Sequence, residues 1–455
     1  MAERGSYPKE EGRLGKQEPY PCSTARPRWA AGVWLTWVLV SASGCRVAAT
    51  NPLGEELNAQ QRHQRASPQQ TPPKRILRDE RPADAARPTS PAQTGHKDNP
   101  ESPDATDTHP ASTTPWPENY DAGVAPASAR TRTVILVSVD GLAPRYLEAE
   151  LAQGTVPGFA RLGREGAFTH RAFCEAQSSY TMPNHTSMMT GRPALLESNK
   201  KAQHGYLINY DAGGDTTLHN HLETEWRYIH SIFDEVHDRG GFTALFAGKS
   251  KFELFRRSYS GEHSRPDRYG ADNGRNKITA FEIATDSTAL MARFLASVES
   301  GVASNPQGQN FAMFHLHDTD SAGHSEGWGN SAYLAAIRRA DALLQDLMNT
   351  VSKSETLADA VVLVSADHGG AAYSHESPVD PDVFRIPVYV WGRGIPTGDL
   401  YRVSIGRTDP GQAIAMNTDA SESLRNADLG NLALWLLGLP PIVASTRLGF
   451  TLRSE

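Results

Sequence analysis

Beyond residue 130 the chain alternates short apolar runs with amphipathic ones. The apolar runs, many of them rich in β-branched or aromatic residues, fall at 134–139, 167–173, 242–247, 310–317, 360–364 and 385–392. Uninterrupted apolar runs of this length read as strands buried on both faces, as in a parallel sheet. Between them, 157–166, 230–239, 282–295, 333–351 and 428–437 carry helical spacing. The last ends at Gly438-Leu439-Pro440-Pro441, a helix-stop signature. Alternation of this kind predicts one α/β domain over 131–455, with a mostly parallel central sheet flanked by helices on both faces. Residues 204–225 read as a polar loop. The charged and aromatic stretch 256–276 lacks periodicity, and is either a solvated surface excursion or a cap over a site. No internal repeat, P-loop or dinucleotide-binding glycine pattern occurs.

The first 130 residues are different material. An apolar run at 29–43 follows Arg26 and Arg28. It is shorter than the roughly 20 residues a spanning helix needs, and a basic flank with small residues after it describes a secretory signal. Ala42-Ser43-Gly44-Cys45 resembles a bacterial lipoprotein processing site; an ordinary signal peptide or an uncleaved anchor is the alternative. Residues 1–45 are therefore expected to target the chain for export, to the periplasm or cell surface, with a membrane tether through Cys45. Residues 46–130 are rich in Pro, Ser, Thr, Gln and Asp. With few large apolar residues to offset the entropy of ordering, they predict a disordered linker. The chain has 3 cysteines; with Cys45 lipidated and Cys22 removed, Cys174 stands alone and no intramolecular disulfide is expected. A net charge of −7 gives no reason to expect a nucleic-acid partner.

Three of the predicted strands run straight into aspartate. The first delivers Asp140-Gly141, the fourth Asp318-Thr319-Asp320 with His324 close by, and the fifth Asp367-His368-Gly369-Gly370 with His375 beyond. The carboxyl end of a parallel strand is where open α/β sheets bind ligands. One such aspartate is easily structural, whereas three with neighbouring histidines point to a shared site. Asp140, Asp320, His324, Asp367, His368 and His375 form a mixed carboxylate–imidazole set, enough for two three-ligand sites with open positions. Zinc suits such a set and manganese remains an alternative. Two metals can clamp the attacking and leaving oxygens of an in-line displacement at phosphorus. In Ser178-Ser179-Tyr180-Thr181-Met182-Pro183-Asn184-His185, a hydroxyl-rich approach precedes a helical run. Thr181 thus falls near a helix N-terminus, which favours anions. An activated threonine hydroxyl there could attack phosphorus and give a phospho-threonine; taken alone, Thr181 also fits an N-cap or a turn.

The set Val139-Asp140-Gly141, Thr181-Met182-Pro183-Asn184-His185, Asp320-Ser321-Ala322-Gly323-His324, Asp367-His368-Gly369 and His375 resembles the alkaline phosphatase superfamily, in its type I phosphodiesterase/nucleotide pyrophosphatase branch. The resemblance covers roughly 133–452, with motifs in the family's order. It implies a dizinc site in which Asp140, Thr181, Asp367 and His368 hold one ion and Asp320, His324 and His375 the other. Thr181 is the implied nucleophile, and a phosphate-ester small molecule or lipid the implied substrate. Asn209 is the nearest match to an asparagine that contacts a phosphate oxygen. Lys249 resembles a substrate-contacting lysine of the related sulfatases, with a surface lysine as the alternative. The convertible Cys or Ser and the arginine of the sulfatase motif are missing, which disfavours a sulfatase. Phosphomonoesterase, phosphoethanolamine transferase, phosphonate hydrolase and an inactive tethered binding protein remain open.

Overall fold

The computed structural model describes residues 130–453 apart from 176–177, 196–201, 223–226, 378 and 412–422. The targeting segment, Cys45 and all but the last residue of the predicted linker lie outside the described residues. Eight strands form one sheet. They are β1 Thr133–Val139, β2 Ala167–Phe173, β3 Thr243–Ala247, β4 Ala280–Ile283, β5 Asn310–Leu316, β6 Val361–Ser365, β7 Arg385–Trp391 and β8 Gly398–Asp399. Their spatial order is β4-β3-β5-β1-β6-β7-β2-β8. Only β7 runs antiparallel to its neighbours β6 and β2; the other pairings are parallel. This is the mostly parallel α/β sheet that the apolar runs predict.

Helices cover both faces. On one side Pro144–Gln153, Pro157–Glu165, Ser287–Ser304 and Ser331–Lys353 pack against one another and the sheet; on the other lie Thr181–Thr190, Ile232–His237 and Leu429–Leu436. The strands β1, β5 and β6 sit between these layers with every residue buried, which is why they read as unbroken apolar runs. The helix Ser331–Lys353 begins where the Asn330 side chain accepts the Tyr333 N–H, and it buries Tyr333, Ile337, Ala340, Leu344, Leu347 and Val351 at helical spacing.

One expectation needs correction. The helix placed at 282–295 begins later: Ala280–Ile283 is strand β4, paired with β3, and the helix is Ser287–Ser304. Asp286 sets the new start by accepting from the Thr288 and Ala289 N–H groups, and Val298 and Val302 continue its buried stripe. Asp318–Glu326, which the apolar pattern assigns to no element, is a helix. The stretch 256–276 is a surface excursion. Arg268 and Lys277 tie it to Glu235 and Asp238 at 2.5 and 2.8 Å, ahead of β3 and at the opposite end of the sheet from the strand-end aspartates. The grouping of His237, Asp238 and Asp267 there is threaded by the Lys277 ammonium and is a structural ion-pair network.

Candidate dinuclear active site

The strand order places β5, β1 and β6 side by side, so the three aspartates that follow them emerge together. Asp140 continues the ladder by donating its N–H to the Leu316 carbonyl at 2.9 Å. Gly141 turns the chain with φ +72°, a conformation that favours glycine, and a Cβ there would lie 3.0 Å from the Asp320 backbone. The Gly141 N–H donates to Asp367 Oδ1 at 3.1 Å, joining the β1 and β6 ends. The helix Asp318–Glu326 puts Asp320 and His324 one turn apart on one face, with His324 Nε2 3.4 Å from Asp320 Oδ1.

Each of the three carboxylates has one oxygen held and the other open. Asp140 Oδ2 takes His315 Nε2 at 2.9 Å and Lys249 Nζ at 2.6 Å, while Oδ1 has no hydrogen-bond partner. Asp320 Oδ2 takes the same Lys249 ammonium at 2.6 Å, and Oδ1 is again unpartnered. Asp367 Oδ1 accepts from the Gly141 and His368 N–H groups, leaving Oδ2 bare. Buried polar atoms are seldom left in this condition.

Two of the three imidazoles, His368 and His324, follow the same rule. His368 Nδ1 donates to the Gly369 carbonyl at 2.8 Å, so its Nε2 lone pair faces Asp367 Oδ2 at 3.3 Å and Asp140 Oδ1 at 3.5 Å. His324 Nδ1 donates to the Tyr373 carbonyl at 3.1 Å, which turns its Nε2 toward Asp320. His375 Nε2 lies 3.8 Å from Asp320 Oδ1. Burial holds the His368 and His375 rings below the ordinary imidazole pKa, so they present lone pairs at neutral pH. Asp320 pulls the half-exposed His324 the other way.

Electrostatics call for cations at this point. Burial would raise all three carboxyls, yet Lys249 and the histidines hold Asp140 and Asp320 well below the carboxylate range. Asp367, buried and facing both, is pushed up. One paired ammonium, Lys249, thus stands among three buried carboxylates, which Lys251 also senses without pairing. The donor atoms of Asp140, Asp367 and His368 lie within 4.8 Å of one another, as do those of Asp320, His368 and His375. These residues fit two adjacent divalent ions: hard oxygen and imidazole donors, the second atom of each fixed by a neighbour except in His375, whose Nδ1 has no hydrogen-bond partner.

Thr181 is the buried first residue of the helix Thr181–Thr190, every residue of which is buried. His185, one turn along, donates from Nδ1 to the Thr181 carbonyl at 2.8 Å and lies 3.6 Å from Asp367 Oδ2. On the other side, Ser179 donates to the His375 carbonyl and the Tyr180 ring meets His375 edge-on at 5.8 Å. The threonine is therefore bracketed by ligand candidates from both groupings. Asn209 Oδ1 accepts the Met182 N–H at 3.2 Å and the Lys251 ammonium at 3.0 Å, which seats Asn209 at the same helix end. All of the sequence candidates converge, and Lys249 is far from a loose surface lysine: it ties Asp140 to Asp320.

Several supporting residues escaped the motif reading. His315 receives the Gly248 N–H on Nδ1 at 3.3 Å, so its Nε2 proton goes to Asp140. A lone histidine inside the apolar run of β5 was the available signal. Trp328 donates to the Gly141 carbonyl at 2.9 Å and fills the space that Gly323 and Gly370 leave open beneath His324 and His375. Asn426 donates to Asn184 Oδ1 at 2.8 Å and to the Asp367 carbonyl at 3.2 Å, linking the threonine helix to the end of β6. No spacing in the sequence marks Trp328 or Asn426.

Among curated proteins, GPI ethanolamine phosphate transferase 1 of Emericella nidulans is 24% identical over 231 residues, 48% of this chain and 24% of that protein. Its namesake from Saccharomyces cerevisiae is 25% identical over 135 residues, 29% of this chain and 14% of that protein. The chain thus spans about a quarter or less of the length of these relatives. Among solved structures, the lipoteichoic acid synthase LtaP from Listeria monocytogenes superposes with a TM-score of 0.48 at 15% identity, over 70% of this chain and 76% of that one. The model of the type I phosphodiesterase / nucleotide pyrophosphatase family matches residues 134–386, from β1 into β7 and across every candidate ligand. The chain belongs to the type I phosphodiesterase/nucleotide pyrophosphatase family.

Proposed function

We propose that this chain hydrolyses phosphate esters, phosphodiesters or nucleotide pyrophosphates, at a two-metal site with Thr181 as nucleophile. The observation that carries the reading is the set of inward-facing atoms left open on Asp140, Asp320, Asp367 and His368 beside the Thr181 helix end. Asp140, Asp367 and His368, with Thr181, would hold one ion; Asp320, His324 and His375 the other. Zinc suits these donors and manganese is the alternative. When bound, the two ions supply Lewis acidity and lower the pKa of the attacking hydroxyl.

The chain's own residues do the rest. Thr181 Oγ forms a bond to phosphorus as the ester oxygen leaves, giving a phospho-threonine; water then attacks phosphorus and releases Thr181. The Asn209 NH2 group, its oxygen held by the Met182 N–H and Lys251, would donate to a phosphoryl oxygen. Lys249 keeps Asp140 and Asp320 aimed by holding one oxygen of each. A transferase is the second reading, favoured by the names of the curated relatives: the phospho-threonine would pass its phosphoryl group to an alcohol instead of water.

A side-by-side assay of an aryl phosphodiester, the matching aryl phosphomonoester and the aryl sulfate tests the reading, with and without an added amino alcohol. Hydrolysis of a phosphoryl ester without the acceptor and negligible sulfatase activity are expected. Turnover that begins only when the alcohol is supplied would establish the transferase.

A further inference from the structure

The sequence offers Lys249 as the cation against the substrate, but the fold pairs Lys249 with Asp140 and Asp320 and brings a second lysine to the end of the Thr181 helix. Lys251 lies two residues beyond Lys249, in the 3-10 turn Ser250–Phe252 that follows β3. Its Nζ reaches Asn209 Oδ1 at 3.0 Å, and that oxygen also takes the Met182 N–H at 3.2 Å, one residue past Thr181. The two lysines differ in how their charges are met. Lys249 is spent on Asp140 and Asp320. Lys251 forms no ion pair with any carboxylate among the described residues; its one hydrogen bond is to a neutral amide. Burial, and then the neighbouring Lys249 charge, lower its pKa to about 8, and the Asp140, Asp320 and Asp367 carboxylates, none of them paired with it, offset only part of that.

Asn209 transmits the geometry. Two donors on its oxygen fix the amide plane, so the NH2 group is left to donate beside Thr181. The Lys251 ammonium and the Asn209 NH2 group, both anion donors, then share one small region at the end of the Thr181 helix.

From this juxtaposition we propose that Lys251 is a specificity-determining residue that recognises a second negative charge within a bond or two of the scissile phosphorus. That charge would be either the second charge of a terminal phosphomonoester or the adjacent phosphate of a pyrophosphate, in preference to a singly charged diester. The inference rests on the two-metal reading above and narrows its substrate class.

The test uses the zinc-loaded full chain, wild type, Lys251→Met and Lys251→Arg, with three substrates: bis(p-nitrophenyl) phosphate, p-nitrophenyl phosphate and ATP. Inorganic phosphate binding is followed in parallel by calorimetry. Methionine keeps the aliphatic stem, and circular dichroism checks that each variant is folded. For Lys251→Met, kcat/KM should fall about 10- to 100-fold further on at least one doubly charged substrate than on the diester, the size of a charge-assisted hydrogen bond. Which of the two arms falls identifies the position of the second charge. Phosphate binding should weaken by about tenfold or more, and Lys251→Arg should recover part of both effects. An equal fall on all three substrates, or unchanged phosphate affinity in Lys251→Met, overturns the proposal. If the wild type turns over no ester, the two-metal reading fails, and the calorimetry still decides whether Lys251 binds phosphate.

Discussion

Thr181 carries the chemistry that can be tested one residue at a time. Its hydroxyl is the group proposed to bond to phosphorus, while its carbonyl is occupied by His185 at 2.8 Å. Removing the oxygen should therefore affect turnover far more than the fold. Thr181→Ala is expected to lower phosphoryl-ester hydrolysis by several orders of magnitude, and Thr181→Ser to keep part of the rate because an attacking oxygen remains. Steady-state kinetics on folded, metal-loaded variants check this, and a fully active Thr181→Ala would rule out the covalent route. At this scale much of the site was legible, because aspartate directly after a buried strand is an unusual placement that repeats three times. Lys251, Trp328 and Asn426 were not. Asn426 enters from a distant segment, and Lys251 and Trp328, though close in sequence to Lys249 and His324, have no local spacing that distinguishes them from ordinary surface or core residues.

The elements that hold the site were legible where burial was uniform and less so where helix and strand share a short segment. β1, β5 and β6 are buried throughout, so composition sufficed. The helix Asp318–Glu326 has no clear apolar stripe, and only its i, i+4 pairing of Asp320 with His324 shows what it is for. A second support lies at Asp428, at the end of the 3-10 turn Asn426–Asp428 and the start of the helix Leu429–Leu436, which packs on the Thr181 helix. Its carboxylate takes Arg447 at 2.5 and 3.0 Å, Arg407 at 2.5 Å and the Arg425 N–H at 2.8 Å. Burial alone would raise its pKa, but Arg447 and Arg407 outweigh burial and hold it at about 2. A folded value below the unfolded value of about 4 gives stability that is present above pH ~4 and lost as pH falls toward ~2. Asp428→Asn should cost about 3 kcal/mol at pH 7, since it leaves two buried guanidiniums without their carboxylate. It should also flatten the decline in stability between about pH 4 and about pH 2. Urea unfolding at pH 7 and near pH 3 measures both; an equal loss at the two pH values would contradict the linkage.

At the scale of the whole molecule, three neighbouring strands bring their terminal aspartates to one end of a parallel sheet. Helices supply Thr181 and His324, and the loop after β6 supplies His375. The sheet class followed from the alternation of buried strand and helix, but the order β5-β1-β6 that makes the aspartates neighbours is a long-range fact with no local signature. Three buried carboxylates, two neutral imidazoles and a half-exposed third facing a single paired lysine are a donor set that divalent cations would complete. The most direct test is a titration of chelator-stripped protein with Zn²⁺, following bound metal and phosphoryl-ester hydrolysis together. About two ions per chain are expected, with hydrolysis returning as the second binds, and Asp367→Ala should show neither full loading nor turnover while remaining folded. Full turnover in the stripped protein, or full activity with no metal bound, would contradict the account.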